Sequence, residues 1–306
     1  MHQIVLVRHG ESRNNIIYDE IRRIHGQDVS AEFIEVEEAN LRSPDPGLSD
    51  RGLAQARRLG EFIHSKGGLD KALNPIASMS SSSWQIYSSP MQRALITTDE
   101  MVRAMGESGT IVRVHPELYE SGGCYEHGRG LPGSSKHDIE AKFPGFICDP
   151  GMELGWFYGR PKEETAEDFM WRMDRLAAWL RLQRQNILLV VHGNLMSGLI
   201  NRLVLGSEGN SSGNMGGLYM HYNTAFSHLQ LYREPISLTD RSSPCVPIVA
   251  IQGVNRIDHL VGSDELLSGN RVHDDHWVQE YIPLLQVWSA RKREQQNPHG
   301  DSGWGI

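Results

Sequence analysis

The sequence predicts an α/β fold: a three-layer sandwich in which a mostly parallel central sheet carries helices on both faces. Residues 4–7 and 187–191 are unbroken apolar runs of valine, isoleucine and leucine, which is typical of strands buried on both faces. Segments with helical spacing of apolar residues separate these runs from further strand-like segments, and such alternation is typical of parallel sheets. A chain of 306 residues is long enough for one large domain of this kind.

The individual elements follow one another in an order that fits this fold class. Ser49 is a suitable cap for a helix whose apolar residues recur at helical spacing until Gly67-Gly68 ends it. A second helix is expected to start at Ser89-Pro90, with proline in its first turn. The remaining predicted elements are strands at 84–87, 111–114, 187–191, 225–232 and 249–254, and helices at 136–143, after a Thr165 cap and after an Asn194 cap.

Two segments without strict periodicity, at about 16–46 and 121–162, are predicted to be insertions in one domain that spans residues 1–262. The first insertion is expected to begin as a helix and to continue as irregular structure. The second is expected to hold two short helical pieces at most. Residues 263–306 are predicted to form a C-terminal extension that ends in a polar, partly disordered tail.

Charge and composition limit the possible functions. The chain has 38 acidic and 30 basic residues and a formal net charge of −8, which argues against general binding of nucleic acids or anionic membranes. It contains neither an apolar stretch of about 18 residues nor the pattern of a signal peptide. The three cysteines, Cys124, Cys148 and Cys245, form no CxxC pair, so no disulfide framework is predicted. These observations favour a cytoplasmic protein.

Both long apolar runs end in a histidine followed by a glycine. The first leads into Arg8-His9-Gly10 and the second into His192-Gly193. Parallel strands end at one edge of the sheet, where α/β proteins place their ligands, so the two imidazoles are expected side by side. A neutral imidazole is a nucleophile, and an arginine fork suits phosphate oxygens. Gly10 is expected to let the backbone come close to a ligand.

The stretch Leu-Val-Arg-His-Gly-Glu-Ser at residues 6–12 resembles the N-terminal signature of the histidine phosphatase superfamily, the phosphoglycerate-mutase-like fold. The pattern Leu-Ser-x-x-Gly-x-x-Gln-Ala at 48–56, the Leu-x-Glu at 118–120 and the segment 254–260 are also similar to this family. The resemblance covers roughly residues 2–232, with 262 as its furthest limit, and the motifs stand in the family's order. It implies an enzyme that transfers phosphoryl groups.

The resemblance also implies catalytic roles for five residues. His9 matches the family's nucleophile, which forms a phosphohistidine, and His192 matches the second histidine beside the phosphoryl group. Arg8 and Arg93 match the two arginines that hold phosphoryl oxygens, and the N-terminus of the helix that contains Arg93 would add its dipole. Glu120 matches the residue that protonates the leaving oxygen and later activates water. Glu117, three residues earlier in the chain, is the runner-up for this role.

The predicted phosphate-binding set consists of Arg8, Asn15, Arg93 and His192, where Asn15 fits a family asparagine that donates to a phosphoryl oxygen. This scheme needs no metal and no cofactor. The His-Asp-Asp-His run at 273–276 is interpreted as solvated rather than as a metal site. A glycine loop followed by Lys-Ser or Lys-Thr, which would cradle a nucleotide, is absent from the sequence.

These features predict a phosphomonoester hydrolase that acts through phosphohistidine on a small phosphorylated metabolite or a phosphoprotein. One alternative is a phosphoglycerate-mutase-type phosphoryl transferase. The mutases of this family carry arginine after the acid, whereas Ser121 stands there here, and the insertion at 16–46 is unlike the compact mutases. Another alternative is a catalytically idle interaction module, against which the intact set of catalytic residues argues. The sequence identifies neither the substrate nor the oligomeric state.

Overall fold

The computed structural model describes residues 1–26, 28–73, 83–106, 109–206, 219–232 and 248–269. A seven-stranded sheet in the order β6-β3-β2-β7-β1-β8-β9 forms its centre, and a two-stranded hairpin, β4-β5, lies apart from it. The strands are β1 His2–Arg8, β2 Trp84–Ser88, β3 Val112–Val114, β4 Tyr125–Glu126, β5 Arg129–Gly130, β6 Phe146–Cys148, β7 Asn186–Val191, β8 Phe226–Tyr232 and β9 Ile248–Arg256.

The helices fill the connections between these strands. In chain order they are α1 Arg13–His25, α2 Ala31–Leu41, α3 Asp50–Ser65, α4 Leu69–Leu73, α5 Gln92–Met105, α6 Lys136–Lys142, α7 Ala166–Leu182 and α8 Gly193–Leu205. Short 3-10 turns lie at Pro150–Met152, Asp258–Leu260 and Asp264–Leu266. Strands β6, β3, β2, β7 and β1 run parallel, whereas β8 and β9 pair antiparallel at the other edge of the sheet.

The sheet is covered by helices on both faces, as β1 illustrates. Val5 and Val7 belong to one core cluster with buried side chains of α3 and α5. Ile4 and Leu6 point to the other face and share a second cluster with α7 and α8. This alternation follows from the two-residue period of a strand. The predicted three-layer α/β sandwich with a mostly parallel sheet is therefore confirmed.

The helix starts follow the predicted caps in two cases and differ in two. The hydroxyls of Ser49 and Thr165 accept from the N–H groups of Gly52 (3.1 Å) and Asp168 (3.2 Å), as expected for N-caps. Helix α8, however, begins before Asn194, and α5 begins at Gln92 rather than at Ser89-Pro90. Carboxylates from elsewhere in the chain replace the local caps. Asp45 accepts from the first N–H of α5, and Glu120 accepts from N–H groups in the first turn of α8.

The first insertion is helical, so the expectation of irregular structure after its start was wrong. Helices α1 and α2 pack together through a small cluster that contains Ile17, Ile21 and Ile34. The hydroxyl of Ser30 accepts from the N–H of Phe33 and opens α2. Each helix buries only a narrow apolar edge, which explains why its sequence lacks a clear helical period.

The second insertion contains the predicted helix, as α6, and also a strand that the sequence analysis missed. Strand β6 has only three residues and pairs parallel with β3, opposite Val112–Val114. Its buried side chains, Phe146 and Cys148, flank the exposed Ile147. Three residues are too few to establish a period-two pattern, which is why the strand escaped notice.

The C-terminal part is described as far as residue 269. Strand β9 extends the predicted strand at 249–254 by one or two residues at each end. The predicted domain boundary at 262 stays a prediction, and residues 263–269 beyond it lie against the edge of the sheet where β1 ends. The predicted disordered tail falls on residues outside the described ones.

Candidate active site

The two histidines that end strands come together in the fold. Strands β1 and β7 are neighbours, and their parallel register pairs Arg8 with Val191. His9 and His192 follow directly, and their ring centroids lie 5.1 Å apart at an interplanar angle of 58°. Both side chains are buried. The side-by-side arrangement expected from the two strand ends is present.

The hydrogen bonds of His9 fix which of its nitrogens carries the proton. Its Nδ1 lies 2.6 Å from the carbonyl oxygen of Gly10, which can only accept, so Nδ1 is the protonated nitrogen. On the other side of the ring, Nε of Arg93 donates to Nε2 at 3.2 Å. Nε2 therefore holds a lone pair, as a nucleophile requires.

Burial keeps both imidazoles neutral. Burial, together with the positive charges of Arg93 and Arg8, holds the pKa of His9 well below its usual range, although the bond to Gly10 opposes this shift. Burial and the charge of Arg93 also hold the pKa of His192 well below its usual range. Neutral imidazole is the form that can attack phosphorus.

Arg93 lies at the start of α5 and is 9% exposed. Nε of Arg93 donates to His9, and among the described residues its two terminal nitrogens make no hydrogen bond. A nearly buried guanidinium with unused donors next to an imidazole is suited to bind an oxyanion.

Asp45 is a neighbour of Arg93 that the sequence analysis did not identify as a site residue. Its Oδ1 accepts from the N–H of Gln92 at 2.8 Å, and its buried Oδ2 has no hydrogen-bond partner among the described residues. Burial raises the pKa of Asp45 to about 6, while the charge of Arg93 and the bond from Gln92 act in the opposite direction. Asp45 comes from the last residues of the first insertion, which therefore borders the site.

His192 is held by a hydroxyl on the neighbouring strand end. Its Nε2 lies 2.7 Å from Oγ of Ser89, which follows β2, and its buried Nδ1 has no hydrogen-bond partner in the described part of the chain. The same Oγ also accepts from the N–H of Met91 at 3.3 Å. Three adjacent strands, β2, β7 and β1, thus contribute to the histidine pair.

Arg8 turns its side chain toward backbone carbonyls. Its Nη1 donates to the oxygens of His221 (2.5 Å) and Gly269 (2.7 Å). A side-chain atom built at Gly193 would lie 3.6 Å from Nε of Arg8, so this guanidinium packs against the start of α8. Arg8 and Arg93 consequently place two positive charges around the histidine pair.

Glu120 lies directly beside the start of α8. Its carboxylate accepts from the N–H groups of Ser121 (2.9 Å), Asn194 (3.1 Å) and Leu195 (3.1 Å). Two of these three N–H donors, Asn194 and Leu195, lie two and three residues after His192 in the chain. The runner-up, Glu117, is instead paired with Arg175 of α7 at 2.6 Å and is not part of this group.

A fully buried arginine supports the backbone that leads to Glu120. Arg172 of α7 makes a two-pronged ion pair with Glu164 at 2.6 and 2.7 Å. Its Nη1 donates to the carbonyl oxygens of Glu117 (2.9 Å) and Tyr119 (2.8 Å). The helical pattern of α7 gave no hint of this role, because an arginine on a helix is usually exposed.

Asn15 contacts Ser12, and Gly10 lies close to the backbone of Gly52. Oδ1 of Asn15 accepts from both the N–H and the hydroxyl of Ser12 at 3.0 Å, in a capping arrangement at the start of α1. Its contact with a phosphoryl oxygen stays a prediction. A side-chain atom at Gly10 would lie 2.5 Å from the carbonyl oxygen of Gly52, so this glycine lets the catalytic loop contact α3.

The family model of the histidine phosphatase superfamily (branch 1) matches residues 4–241. The chain belongs to the histidine phosphatase superfamily. The histidine pair, Arg8 and Arg93 all lie within the matched range. A comparison with curated protein sequences finds no significant match.

Solved structures that resemble this histidine phosphatase chain are distant. A mycobacterial glucosyl-3-phosphoglycerate phosphatase is 19% identical, with 84% of this chain and 100% of that chain covered and a TM-score of 0.44. The ecdysone phosphate phosphatase of Bombyx mori is 15% identical, with 85% and 99% covered and a TM-score of 0.46. A phosphoserine phosphatase of Entamoeba histolytica is 16% identical, with 85% and 100% covered and a TM-score of 0.40.

The described residues of this family member include neither a metal-binding cluster nor a membrane-spanning helix. There, no three or more His, Cys, Asp or Glu side chains are grouped closely enough to hold a metal ion. The run at 273–276 lies outside these residues. No helix in the described part is long and apolar enough to cross a membrane.

Proposed function

We propose that the chain is a phosphomonoesterase that transfers a phosphoryl group first to His9 and then to water. The observation that carries this proposal is the hydrogen bond between Nδ1 of His9 and the Gly10 carbonyl, which leaves the Nε2 lone pair beside Arg93. In the first step the hydrogen bond from Arg93 to Nε2 gives way, Nε2 attacks phosphorus, and the bond between phosphorus and the leaving oxygen breaks. Glu120, in its protonated form, gives its proton to that oxygen.

The second step returns the enzyme to its starting state. Glu120, now a carboxylate, takes a proton from a water molecule whose oxygen attacks phosphorus. The bond between phosphorus and Nε2 breaks, and inorganic phosphate leaves. Splitting one displacement into two in this way replaces a difficult reaction by two easier ones.

The charges around the histidine pair support this chemistry. A phosphoryl group in transfer carries negative charge on its equatorial oxygens, and fixed donors stabilise it. Arg93 contacts Nε2 of His9, the charge of Arg8 also acts on His9, and the ring of His192 lies beside that of His9. Because His9, His192 and Arg93 are buried, their interaction with an anion is stronger than it would be in water.

The substrate class that we propose is a small phosphorylated metabolite or a phosphoprotein. Both insertions border the site and would select among substrates. Arg42, just beyond the end of α2, acts electrostatically on Arg93 and on Tyr125 of the second insertion. Specificity would therefore depend on the surface that these two insertions share.

A trapping experiment tests the mechanism. Rapid quenching with a phosphate-labelled substrate is expected to leave label on the peptide that contains His9 and none on the peptide that contains His192. A phosphohistidine is labile in acid and stable in alkali, unlike a phosphoserine. His9→Ala is expected to abolish both turnover and label, because it removes the attacking nitrogen.

His192→Ala is the matched comparison, because it removes the neighbouring imidazole and keeps the nucleophile. Its turnover is expected to fall by a factor equivalent to about 2–4 kcal/mol, while the label stays on His9. Label on His192 alone would reverse the two roles, and turnover without label would indicate direct attack by water. Transfer of label to an added hydroxy acid rather than to water would favour the mutase alternative.

A further inference from the structure

The segment 257–269, which we call the C-terminal strap, lies beyond the matched family range and packs against the catalytic edge of the sheet. It leaves β9, forms the two short turns at Asp258–Leu260 and Asp264–Leu266, and ends at Gly269 next to Arg8. His259 and Leu260 are buried. The strap is therefore anchored by these two buried side chains, while the rest of it lies at the surface.

The end of the strap contacts the side chain of Arg8 directly. The carbonyl oxygens of Gly269 and His221 both accept from Nη1 of Arg8. Two acceptors on one nitrogen of a planar, rigid guanidinium fix its direction. Gly269 has a φ of +86°, and a side-chain atom there would lie 2.1 Å from Oδ1 of Asn223 and 2.8 Å from Nη1 of Arg8. Only glycine fits at this position.

The strap also holds the backbone of His9, through the turn at Asn223-Thr224. The backbone carbonyl oxygen of Ser268 accepts from the N–H of Asn223 at 2.9 Å. Nδ2 of Asn223 in turn donates to the carbonyl oxygen of His9 at 3.0 Å. Thr224 has a φ of +59°, a strained value for a β-branched residue. Its hydroxyl contacts Nε2 of His259 at 2.9 Å, and its N–H donates to the carbonyl oxygen of Arg8 at 3.1 Å.

A third connection runs through a buried glutamine of α3. Nε2 of Gln55 donates to the carbonyl oxygen of Leu266 (2.5 Å) and to Oγ of Ser268 (2.9 Å). Oε1 of the same amide accepts from the N–H of Glu11 at 2.8 Å. The strap is thus joined to both sides of the short segment that contains His9.

We propose that the C-terminal strap is a positioning element for phosphoryl binding, which sets the direction of Arg8 through the Gly269 carbonyl and the backbone of His9 through Asn223. This inference rests on the proposed function. It assigns positioning roles to Asn223, Ser268 and Gly269, none of which touches the reacting atoms.

The test compares two glycines of the strap in the full chain. Gly269→Ala adds a methyl group against Arg8 and Asn223, whereas Gly262→Ala has the same kind of backbone, with a φ of +80°, and nothing within 4 Å. Both variants carry the strain of alanine at positive φ, so they are matched in that respect. Gly269→Ala is expected to lower kcat/KM for p-nitrophenyl phosphate about 100-fold relative to Gly262→Ala, since small misplacements of catalytic groups have effects of that size.

Binding of orthovanadate, a phosphoryl mimic, gives a readout without turnover. Gly269→Ala is expected to weaken vanadate binding about tenfold relative to Gly262→Ala, the size expected for one charged hydrogen bond. In an Arg8→Ala background the same change is expected to have a smaller effect on vanadate binding, because the contact with Arg8 is gone and only the contact with Asn223 remains. Thermal melts check that the variants are folded, and Ser268→Ala replaces Gly269→Ala if that variant does not fold.

Several results would overturn the proposal. Equal vanadate binding by Gly269→Ala and Gly262→Ala would contradict it. It would also be contradicted if Gly269→Ala weakened vanadate binding as much in the Arg8→Ala background as in the parent protein. A parent protein that binds vanadate but hydrolyses nothing overturns the proposed function and leaves the strap comparison readable. A parent that neither binds vanadate nor hydrolyses the substrate overturns both.

Discussion

The two histidines of the site differ in what their ring nitrogens contact. On His9 the carbonyl oxygen of Gly10 accepts a hydrogen bond from Nδ1–H, so Nε2 holds the lone pair. On His192 the partner of Nε2 is Ser89, whose hydroxyl already accepts from Met91 and can donate to Nε2. His192 then keeps its proton on the buried Nδ1. Under the proposed function, His9 would act as the nucleophile and His192 as a hydrogen-bond donor.

Glu120→Gln tests the proton transfer to the leaving group. Turnover of an alkyl phosphate is expected to fall about 100-fold or more, since general acid catalysis typically contributes that much, whereas p-nitrophenyl phosphate needs little protonation and should lose much less. Steady-state rates with the two substrates measure the difference. Glutamine keeps one oxygen, which in place of Oε1 can accept from Ser121 and Leu195, so the start of α8 retains an acceptor but loses the one for Asn194.

Glu117→Gln is the matched control for this experiment. It makes the same change three residues away, in a side chain paired with Arg175, and is expected to leave both rates unchanged. If Glu120→Gln slows both substrates equally, its carboxylate serves only to hold the start of α8. If Glu117→Gln alone shows the leaving-group dependence, the acid is Glu117.

Helix α7 carries two arginines one turn apart that meet different surroundings. Arg172 is fully buried and bonded to Glu164 and two carbonyls, whereas Arg175 pairs with Glu117 at the surface. Arg172→Met is expected to destabilise the fold by about 3–5 kcal/mol, because it leaves the Glu164 charge buried and unpaired. Equilibrium unfolding in urea measures the loss.

Arg175→Met is the comparison on the same helix. An exposed ion pair contributes less than about 1 kcal/mol, so its unfolding midpoint is expected to stay close to that of the parent. The slope of the unfolding curve should be the same in all three proteins, since the surface exposed on unfolding hardly changes. Similar losses for the two arginine variants would contradict the buried role of Arg172.

Local sequence patterns are enough to predict the central strands and the two histidines that follow them. The runs before His9 and His192 are uniformly apolar, so their burial, and hence the meeting of the two histidines at one edge, could be predicted. The contacts that orient these histidines could not. Ser89 and Asn223 are ordinary turn residues in the sequence, and their partners lie more than 100 residues away in the chain. Such pairs are defined only by the tertiary fold.

Two features of the first insertion, Asp45 and helix α2, could not be predicted from the local sequence. Asp45 lies in a Ser-Pro-Asp-Pro run that predicts a turn, and nothing local indicates that its carboxylate caps α5 and approaches Arg93. The sequence of α2 predicts no helix because its apolar residues do not keep to one face, and only Ile34 contributes to the small cluster with α1. Local patterns identify elements with large buried faces better than those with small ones.

The buried histidines predict how the stability of the whole molecule depends on pH. Burial lowers the pKa of His221, His228 and His259 from the ordinary 6.5 to about 4. Between these values the unfolded chain binds protons that the folded chain does not, so stability falls as the pH is lowered. Asp45 acts in the opposite direction, because its pKa of about 6 in the fold exceeds its ordinary value of 3.8.

These three histidines against one aspartate account for about two protons near pH 5, and His9 and His192, whose pKa values burial also lowers, add to the same side. The free energy of unfolding is expected to fall by at least roughly 2–3 kcal/mol per pH unit there. Urea unfolding at pH 5, 6 and 7 measures this slope, and His228→Gln, which removes one of the three, should make it shallower. A free energy of unfolding that stays constant between pH 5 and 7 would contradict the prediction.

The position of β1 between β7 and β8 has a consequence for how the chain is made. The ribosome synthesises β1 before both of its partner strands, because β7 begins at residue 186 and β8 at residue 226. At about 5–20 residues per second, the first of these partners appears roughly 10–35 s after β1. During that time Ile4, Val5, Leu6 and Val7 have no strand to pair with, so the nascent chain needs shelter from aggregation. His9 can lie beside His192 only after β7 has been synthesised and has paired with β1.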